Sequence, residues 1–148
     1  MKVSELKMLS VLSDGGCKNN GNVNGSGITQ AYGSFAVTAI SKDGIREIGH
    51  HEHLEFPETK TSPEAEYRTL VAATLYVGQL MERMNWPDDI KIVFGVDAKL
   101  LVDQINGHAK VKAEHLKEYN LTIKGRLVAL NATVTKVERQ IVKDALGH

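Results

Sequence analysis

The order of apolar and polar stretches along the chain predicts three strands in its first third. They span Lys7–Ser13, Ala31–Ser41 and Ile45–Leu54, and each is rich in residues that favour strands. Lys42-Asp43-Gly44, between the second and third strands, is typical of a hairpin turn. The Gly- and Asn-rich segment Lys18–Gly27 is predicted to be a loop. Because the connections are short, the three strands should pair antiparallel.

The rest of the chain alternates between helical and strand patterns. A helix begins at Pro63, with Ser62 as its predicted N-cap, and ends near Asn85, since apolar residues recur there at helical spacing. The further predicted elements are strand Ile90–Val96, helices Lys99–Asn106 and Ala113–Leu130, strand Ala132–Val137 and helix Arg139–Leu146. This order predicts an α/β fold with a five-stranded mixed sheet and helices on both faces.

Composition narrows the class of protein. A length of 148 residues is typical of a single domain, expected here over 1–148. The formal net charge is zero, so nucleic-acid binding would depend on local basic patches and on metal. One cysteine, Cys17, excludes an internal disulfide and favours a reducing compartment. With no apolar stretch of membrane length and no signal-like start, we expect a cytoplasmic protein without a membrane partner.

Three carboxylates are placed where they could share one site. Asp14 and Asp97 each follow an apolar run, and Glu66 lies in the first turn of the long predicted helix. A carboxylate at the end of a buried strand is poorly solvated unless positive charge lies beside it, so converging carboxylates indicate a divalent cation. Oxygen-only ligands favour magnesium or manganese over zinc. The alternatives are a turn residue for Asp14, a helix-dipole partner for Glu66 and an N-cap for Asp97.

These motifs carry a family resemblance. The motifs are Asp14-Gly15-Gly16-Cys17 with Asn20 three residues further on, Thr61 followed by Ala65-Glu66-Tyr67, and a strand that ends in Val96-Asp97. In this order they resemble ribonuclease H type 1, from about Met8 to the end of the chain. The segment 106–112 is similar to the compact variant of that family, which lacks the basic protrusion. The resemblance implies a ribonuclease H-like fold and an endonuclease that hydrolyses the RNA strand of RNA–DNA hybrids, leaving 5′-phosphate ends.

The resemblance also implies roles for individual residues. Four carboxylates would hold two Mg²⁺ ions, with Mn²⁺ as a substitute: Asp14, Glu66, Asp97 and Asp144. Glu138 is the alternative to Asp144 as the fourth. Either Arg139 or His148 would be a basic group that assists release of the product.

The same resemblance implies a substrate-binding set, namely Gly15, Gly16, Cys17, Asn20 and Ser62. Glycine lets the backbone approach a ligand closely, whereas Cys17 could equally be a small buried hydrophobic residue. The family usually has two Asn residues where this chain has Ser62 and Pro63, and Pro63 has no N–H to donate. Two alternatives therefore stay open: a nuclease of this fold that acts on DNA or branched substrates, and a non-catalytic nucleic-acid-binding module.

Basic and imidazole side chains complete the candidates. At strand spacing His51 and His53 share one face and His50 points to the other, and without further ligands a solvated sheet face is favoured over a zinc site. Residues that could contact phosphates, or could simply be exposed, are Lys99, Lys110, Lys112 and His115. The expected partner is an RNA–DNA hybrid. The expected state is a monomer, although the sequence leaves dimerisation open.

Overall fold

A computed structural model describes residues 1–18, 30–87 and 89–148, and its centre is a five-stranded sheet. The strands are β1 (Leu6–Lys18), β2 (Gln30–Ser41), β3 (Arg46–Phe56), β4 (Lys91–Val96) and β5 (Ala132–Lys136), in the spatial order β3-β2-β1-β4-β5. β2 pairs antiparallel with β1 and β3, whereas β4 pairs in parallel with β1 and β5. The predicted mixed sheet is thus confirmed.

The helices cover both faces of this sheet. They are α1 (Ser62–Met84), α2 (Lys99–Ile105), α3 (Glu114–Leu130) and α4 (Arg139–Leu146), and a 3-10 turn at Val3–Glu5 precedes β1. Phe35 and Val37 of β2 belong to the core cluster that includes residues of α1 and α3. Ala36, between them, packs instead with Val142 and Leu146 of α4. Since side chains alternate across a strand, α4 lies on the opposite face from α1 and α3.

Two boundaries differ from the prediction in ways that affect the candidate site. β1 continues through Lys18, so Asp14 lies inside the strand and not at its end, because β2 keeps pairing with it as far as Lys18↔Gln30. The predicted N-cap Ser62 is wrong. Thr61 is the N-cap, with extended backbone and an Oγ1 that accepts the Glu64 N–H at 3.4 Å, and Ser62 is the first residue of α1.

A buried apolar layer holds the two central strands. Leu9 and Val11 of β1 and Ile92 and Phe94 of β4 are all 0–1% exposed and pack beneath α1 and α3. Burying a side chain of this size contributes about 1.5–3 kcal/mol. This layer fixes the positions of the ends of β1 and β4, and therefore the positions of the side chains at those ends.

A buried polar network joins the three helices on this face. The Tyr67 hydroxyl donates to Gln104 Oε1 at 2.7 Å and accepts from Asn120 Nδ2 at 3.2 Å. Gln104 Nε2 in turn donates to the Lys110 carbonyl at 3.2 Å, and residues 106–113 between α2 and α3 form neither helix nor strand. The resemblance to a variant without a protrusion therefore agrees with the structure. Among the described helices, none combines the length and the apolar character needed to cross a membrane.

Candidate active site

Asp14 and Asp97 lie side by side at one edge of the sheet. β1 and β4 pair in parallel up to Leu12↔Gly95; two residues further along the chain, Asp14 lies within β1 and Asp97 directly follows β4. Their side chains are only 5% and 12% exposed. Nη1 of Arg139 donates to Oδ2 of both carboxylates, at 2.8 Å in each case. One guanidinium group thus bridges the two acids.

α4 brings Arg139 to this position. Arg139 is the first residue of α4, whose apolar face is fixed on the sheet by Val142 and Leu146. The two carboxylates raise the pKa of Arg139 above its ordinary value. The Arg139 side chain is nevertheless 49% exposed, so the guanidinium covers the carboxylates from the solvent side.

Glu66 reaches the same site from α1. A Cβ at Gly15 would lie 2.6 Å from the Ala65 carbonyl oxygen and 2.8 Å from the Glu66 nitrogen. Only glycine therefore lets the first turn of α1 lie against β1. Burial raises the pKa of Glu66, the negative charges of Asp14 and Asp97 raise it as well and Arg139 lowers it, so that the pKa is about 7.

The positive charge at the site only partly compensates the buried acids. Burial raises the pKa of Asp14, and the charge of Asp97 adds to this, whereas the hydrogen bond from Arg139 and the charges of Arg139 and His148 lower it. The raised pKa values of both Asp14 and Glu66 show that Arg139 does not fully offset burial and mutual repulsion. An additional cation at this point would stabilise the ionised form of each group.

The chemistry of the donor set fits a hard divalent cation, but the present arrangement is closed by Arg139. Carboxylate oxygens are the ligands that magnesium and manganese prefer. Within the described ranges, no group of three or more His, Cys, Asp or Glu side chains is positioned to hold a metal ion. The guanidinium between Asp14 and Asp97 is a cationic stand-in there. Asp14 and Asp97 would hold such an ion only if Arg139 withdrew from them.

His148 contacts Asp14 from the other side, together with two residues that the sequence did not single out. His148 Nδ1 lies 3.1 Å from Asp14 Oδ2, and its Nε2 hydrogen-bonds with Ser34 Oγ. Ser34 is the direct partner of Asp14 in the β1–β2 pairing, and the ring of Tyr32 meets His148 edge-on with centroids 5.1 Å apart. The alternation of β2 is visible in the sequence, but only the register shows that Ser34 faces Asp14.

The predicted fourth carboxylate is not brought to the site. Asp144 is exposed, and its Oδ1 accepts a hydrogen bond from Gln140 at 2.8 Å. The apolar pattern of α4 suggests that Ile141, Val142 and Ala145 set its buried face, but of these only Val142 is buried, together with Leu146. Glu138, the alternative, is also exposed, immediately before α4. A fourth metal ligand from this helix stays a prediction.

The predicted substrate-binding residues are spread around the first turn of α1 and the end of β1. Cys17 is half-buried and packs against the small apolar cluster of Ala31, Phe56 and Ala65, which supports its interpretation as a small hydrophobic residue. Gly16 is the partner of Tyr32 in the β1–β2 pairing. Ser62 is half-buried at the start of α1. Asn20 lies outside the described residues.

The histidine cluster has the predicted arrangement on β3. His51 and His53 pair with Ala36 and Ser34 on the α4 face, and His50 pairs with Val37 on the other. His50 stacks on Tyr76 with centroids 4.0 Å apart and hydrogen-bonds with Glu52 at 2.9 Å, so it is a packing residue.

The candidate phosphate contacts lie in α2, in α3 and in the segment between these helices. Lys99 is ion-paired with Asp103 of its own helix at 2.7 Å. The remaining candidates, Lys110, Lys112 and His115, are exposed.

Similarity to known proteins is found at the level of structure. No protein-family model matches the sequence, and no curated protein matches it. LC11-RNase H1, whose crystal structure was determined in complex with an RNA/DNA hybrid, has a TM-score of 0.74 at 22% identity, over 93% of this chain and 92% of that one.

Two further solved structures are similar over comparable lengths. RNase H1 from Halobacterium salinarum NRC-1 has a TM-score of 0.69 at 20% identity, covering 94% of this chain and 93% of that chain. The N-terminal RNase H domain of Rv2228c from Mycobacterium tuberculosis has a TM-score of 0.73 at 20% identity, with coverages of 94% and 95%. The chain therefore has the ribonuclease H fold, as the resemblance implied.

Proposed function

We propose that this protein is a type 1 ribonuclease H, a metal-dependent endonuclease that hydrolyses the RNA strand of RNA–DNA hybrids and leaves 5′-phosphate ends. The observation that carries the proposal is the convergence of Asp14, Glu66 and Asp97 at one edge of the sheet. The positive charge of Arg139 compensates these buried acids only in part. The ribonuclease H fold, shared with an RNase H1 that was solved with a bound hybrid, supports the choice of substrate.

Asp14, Glu66 and Asp97 would hold magnesium, with manganese as a substitute. Two bound ions would supply an activated water for in-line attack on phosphorus and would stabilise the leaving oxygen. Asp14 is the central ligand in this proposal because it is the most buried of the three and borders both Asp97 and Glu66. Because the pKa of Glu66 is about 7, the free-energy cost of deprotonating it near neutral pH is small, and the carboxylate can then bind a metal ion.

Arg139 has two partners in this mechanism. In the present arrangement it forms ion pairs with Asp14 and Asp97. Its side chain is half-exposed at the first residue of α4, so it can turn toward the phosphate oxygens of a bound strand. There the guanidinium would donate two hydrogen bonds in a bidentate manner. It would then bind the product phosphate, and its return to the carboxylates would favour release.

Selectivity for RNA requires contacts to 2′-hydroxyl groups. We expect Ser62 to make such a contact, because it lies half-buried in the first turn of α1, four residues before Glu66. Pro63, beside it, offers no N–H. We therefore expect recognition of the ribose to depend on Ser62 and on backbone groups at the start of α1.

Cleavage assays with matched substrates test the proposal. Labelled RNA–DNA hybrid, double-stranded RNA and branched DNA would be incubated with the wild-type protein while magnesium or manganese is titrated. We expect cleavage of the hybrid alone, only with a divalent ion, and a loss of at least a hundredfold in Asp14→Asn. Asp103→Asn on α2, whose carboxylate pairs with Lys99, is the matched control and should retain the activity.

Three results would contradict the proposal. Asp14→Asn activity within tenfold of wild type, about 1.4 kcal/mol of barrier, would remove Asp14 from the centre of the mechanism. Preferred cleavage of branched DNA would indicate the alternative nuclease of this fold. Hybrid binding without cleavage under any metal condition would indicate a binding module.

A further inference from the structure

A cavity of about 480 Å³ opens beside the candidate active site, on the α4 face of the sheet. Its volume lies within the range of about 300–1,000 Å³ that is usual for ligand pockets. The residues that matter for its chemistry come from the ends of β1, β2 and β3 and from the residues after α4, and they are Lys18, Gln30, Tyr32, His53, Glu55 and His148.

His148 joins this cavity to the carboxylates. Its Nδ1 lies 3.1 Å from Asp14 Oδ2, while its ring meets the ring of Tyr32 inside the cavity. A single side chain therefore separates the cavity from Asp14. A nucleic-acid strand that lies across the carboxylates would reach the cavity with a nearby nucleotide.

The ring of Tyr32 is held in place by three neighbours. Gly16 is its partner across the strand pair, and a Cβ there would lie 2.8 Å from the Tyr32 hydroxyl oxygen, so the phenol lies over bare backbone. His53 stacks nearly parallel to it, with centroids 6.5 Å apart and planes 16° apart, and His148 meets it edge-on at 83°. An aromatic surface that is already positioned loses little entropy when a ligand stacks on it.

The charges of the cavity favour a base over a phosphate. Lys18 is positively charged and Glu55 is negatively charged, so a phosphate group inside the cavity would be repelled by the carboxylate of Glu55. A nucleobase is neutral and planar, and its edge can pair with the Gln30 amide and the Glu55 carboxylate. The phosphates that flank such a base would remain near exposed Lys18.

We propose that this cavity binds an unpaired nucleobase from a single-stranded extension of the nucleic acid that the active site cleaves. The base must be unpaired because bases within a duplex are already stacked on both faces, whereas a free base gains a stacking partner in Tyr32. The proposal rests on the proposed function for the neighbouring cleavage site. It adds a preference that the fold does not imply: hybrids that adjoin a single-stranded segment bind more tightly than blunt ones.

Binding measured without metal tests this preference independently of cleavage. Fluorescence anisotropy in EDTA would compare a blunt hybrid with the same hybrid carrying a five-nucleotide extension at each end of each strand in turn. We expect at least one extension to lower Kd about fivefold or more, the magnitude of one base stacked on an aromatic side chain. The same extension built from abasic sites should give no gain, since its phosphates alone remain.

Matched variants locate the effect. Tyr32→Leu and His53→Ala should lose the gain from the extension. Tyr32→Phe keeps the aromatic ring and should retain the gain from the extension. His51→Ala should retain this gain as well, since it removes an exposed histidine from the same face of β3, two residues from His53 and opposite Ala36. An equal gain in His53→Ala, Tyr32→Leu and wild type would overturn the proposal, as would an equal gain from the abasic extension.

The two proposals fail in different ways. If the wild-type protein cleaves hybrid with magnesium but binds every extended hybrid no better than the blunt one, the cavity proposal is wrong and the proposed function stands. If no hybrid is cleaved or bound, the same variants would be compared for binding of the single-stranded RNA and DNA oligonucleotides alone. A loss confined to Tyr32→Leu and His53→Ala would then support the cavity, and the absence of any such loss would overturn it.

Discussion

The two faces of the β1–β2 pair differ in what covers them and in what they carry. On the α1 face, Leu9, Val11, Phe35 and Val37 are at most 2% exposed and pack against a helix of 23 residues. On the α4 face the residues at the same end of the sheet are polar, and a helix of only eight residues lies over them. These polar residues are Asp14, Tyr32 and Ser34.

This difference shows how one pair of strands serves two purposes. Because side chains alternate along a strand, a core residue such as Phe35 stands next to one that faces the candidate site, such as Ser34. Stability should therefore depend chiefly on the α1 face and activity on the α4 face. Substitutions at adjacent positions can separate the two.

The largest effect is expected from Phe35→Ala on the core face. Phe35 is fully buried, and truncation of a buried aromatic costs about 3–5 kcal/mol. Ser34→Ala, one residue away, should cost about 1 kcal/mol or less, since it removes only the hydrogen bond to His148. Urea denaturation of both variants measures the difference, and similar losses of stability would contradict the division between the faces.

Glu66→Gln should change how stability depends on pH. The pKa of Glu66 is about 7 in the folded protein against an ordinary value of 4.5, so the folded state retains the proton and loses stability as pH rises from about 4.5 to 7. Above this window the penalty is about 2–3 kcal/mol, and glutamine removes it. The variant should therefore be more stable than wild type at pH 8 in EDTA and nearly equal at pH 4.

The matched control for this prediction is Glu82→Gln, on the exposed last turn of the same helix. It gives the effect of the same substitution outside the site. A constant difference in stability between Glu66→Gln and wild type from pH 4 to pH 8 would show that Glu66 is not buried among other acids.

Arg139→Gln should have opposite effects on stability and on metal affinity. Without metal at pH 8 it removes the guanidinium that Asp14 and Asp97 share, at a cost of about 1 kcal/mol because the guanidinium is half-exposed and screened. With magnesium, removal of the competing cation should tighten binding several-fold by calorimetry. Lys99→Gln, which breaks an exposed ion pair on α2, should change neither, and weaker magnesium binding in Arg139→Gln would mean that Arg139 supports the metal site.

The smallest effect is expected from Asp144→Asn. Asp144 is exposed and bonded to Gln140 on its own helix, so we expect a change of less than about 0.5 kcal/mol in stability and of less than about threefold in cleavage rate. A tenfold loss of cleavage by a folded variant would instead place Asp144 among the metal ligands, as the sequence resemblance implied. Glu138→Gln, tested in parallel, would identify the other candidate.

Local patterns in the sequence were sufficient to predict which helices and strands form, but not where each of them begins and ends. The bounds of α4 were predicted correctly because Arg139–Leu146 is a short helical pattern after a clear strand. The end of β1 was not, since Asp-Gly-Gly is a common turn sequence and only pairing with β2 keeps it extended. At the helix start Thr61 and Ser62 are both good N-caps, and the fold decides between them.

The candidate site shows the same limit. Asp14, Glu66 and Asp97 could be recognised because each stands in a motif, and the structure places them together. Ser34 and Tyr32 could not, because their contribution depends on register and on a histidine more than a hundred residues away along the chain. The role of Asp144 stays a prediction, because this exposed residue lies outside the buried face of α4 that Val142 and Leu146 form.

The brevity of α4 has a consequence for motion. Only Val142 and Leu146 of this helix are buried, whereas β1 is paired on both sides in the middle of the sheet. Segments with few buried side chains open locally at lower free energy than the global unfolding transition. Amide hydrogens of α4 should thus exchange with solvent well before those of β1. In each such opening Arg139 and His148 would leave together, while Asp14 and Asp97 would remain held by the sheet.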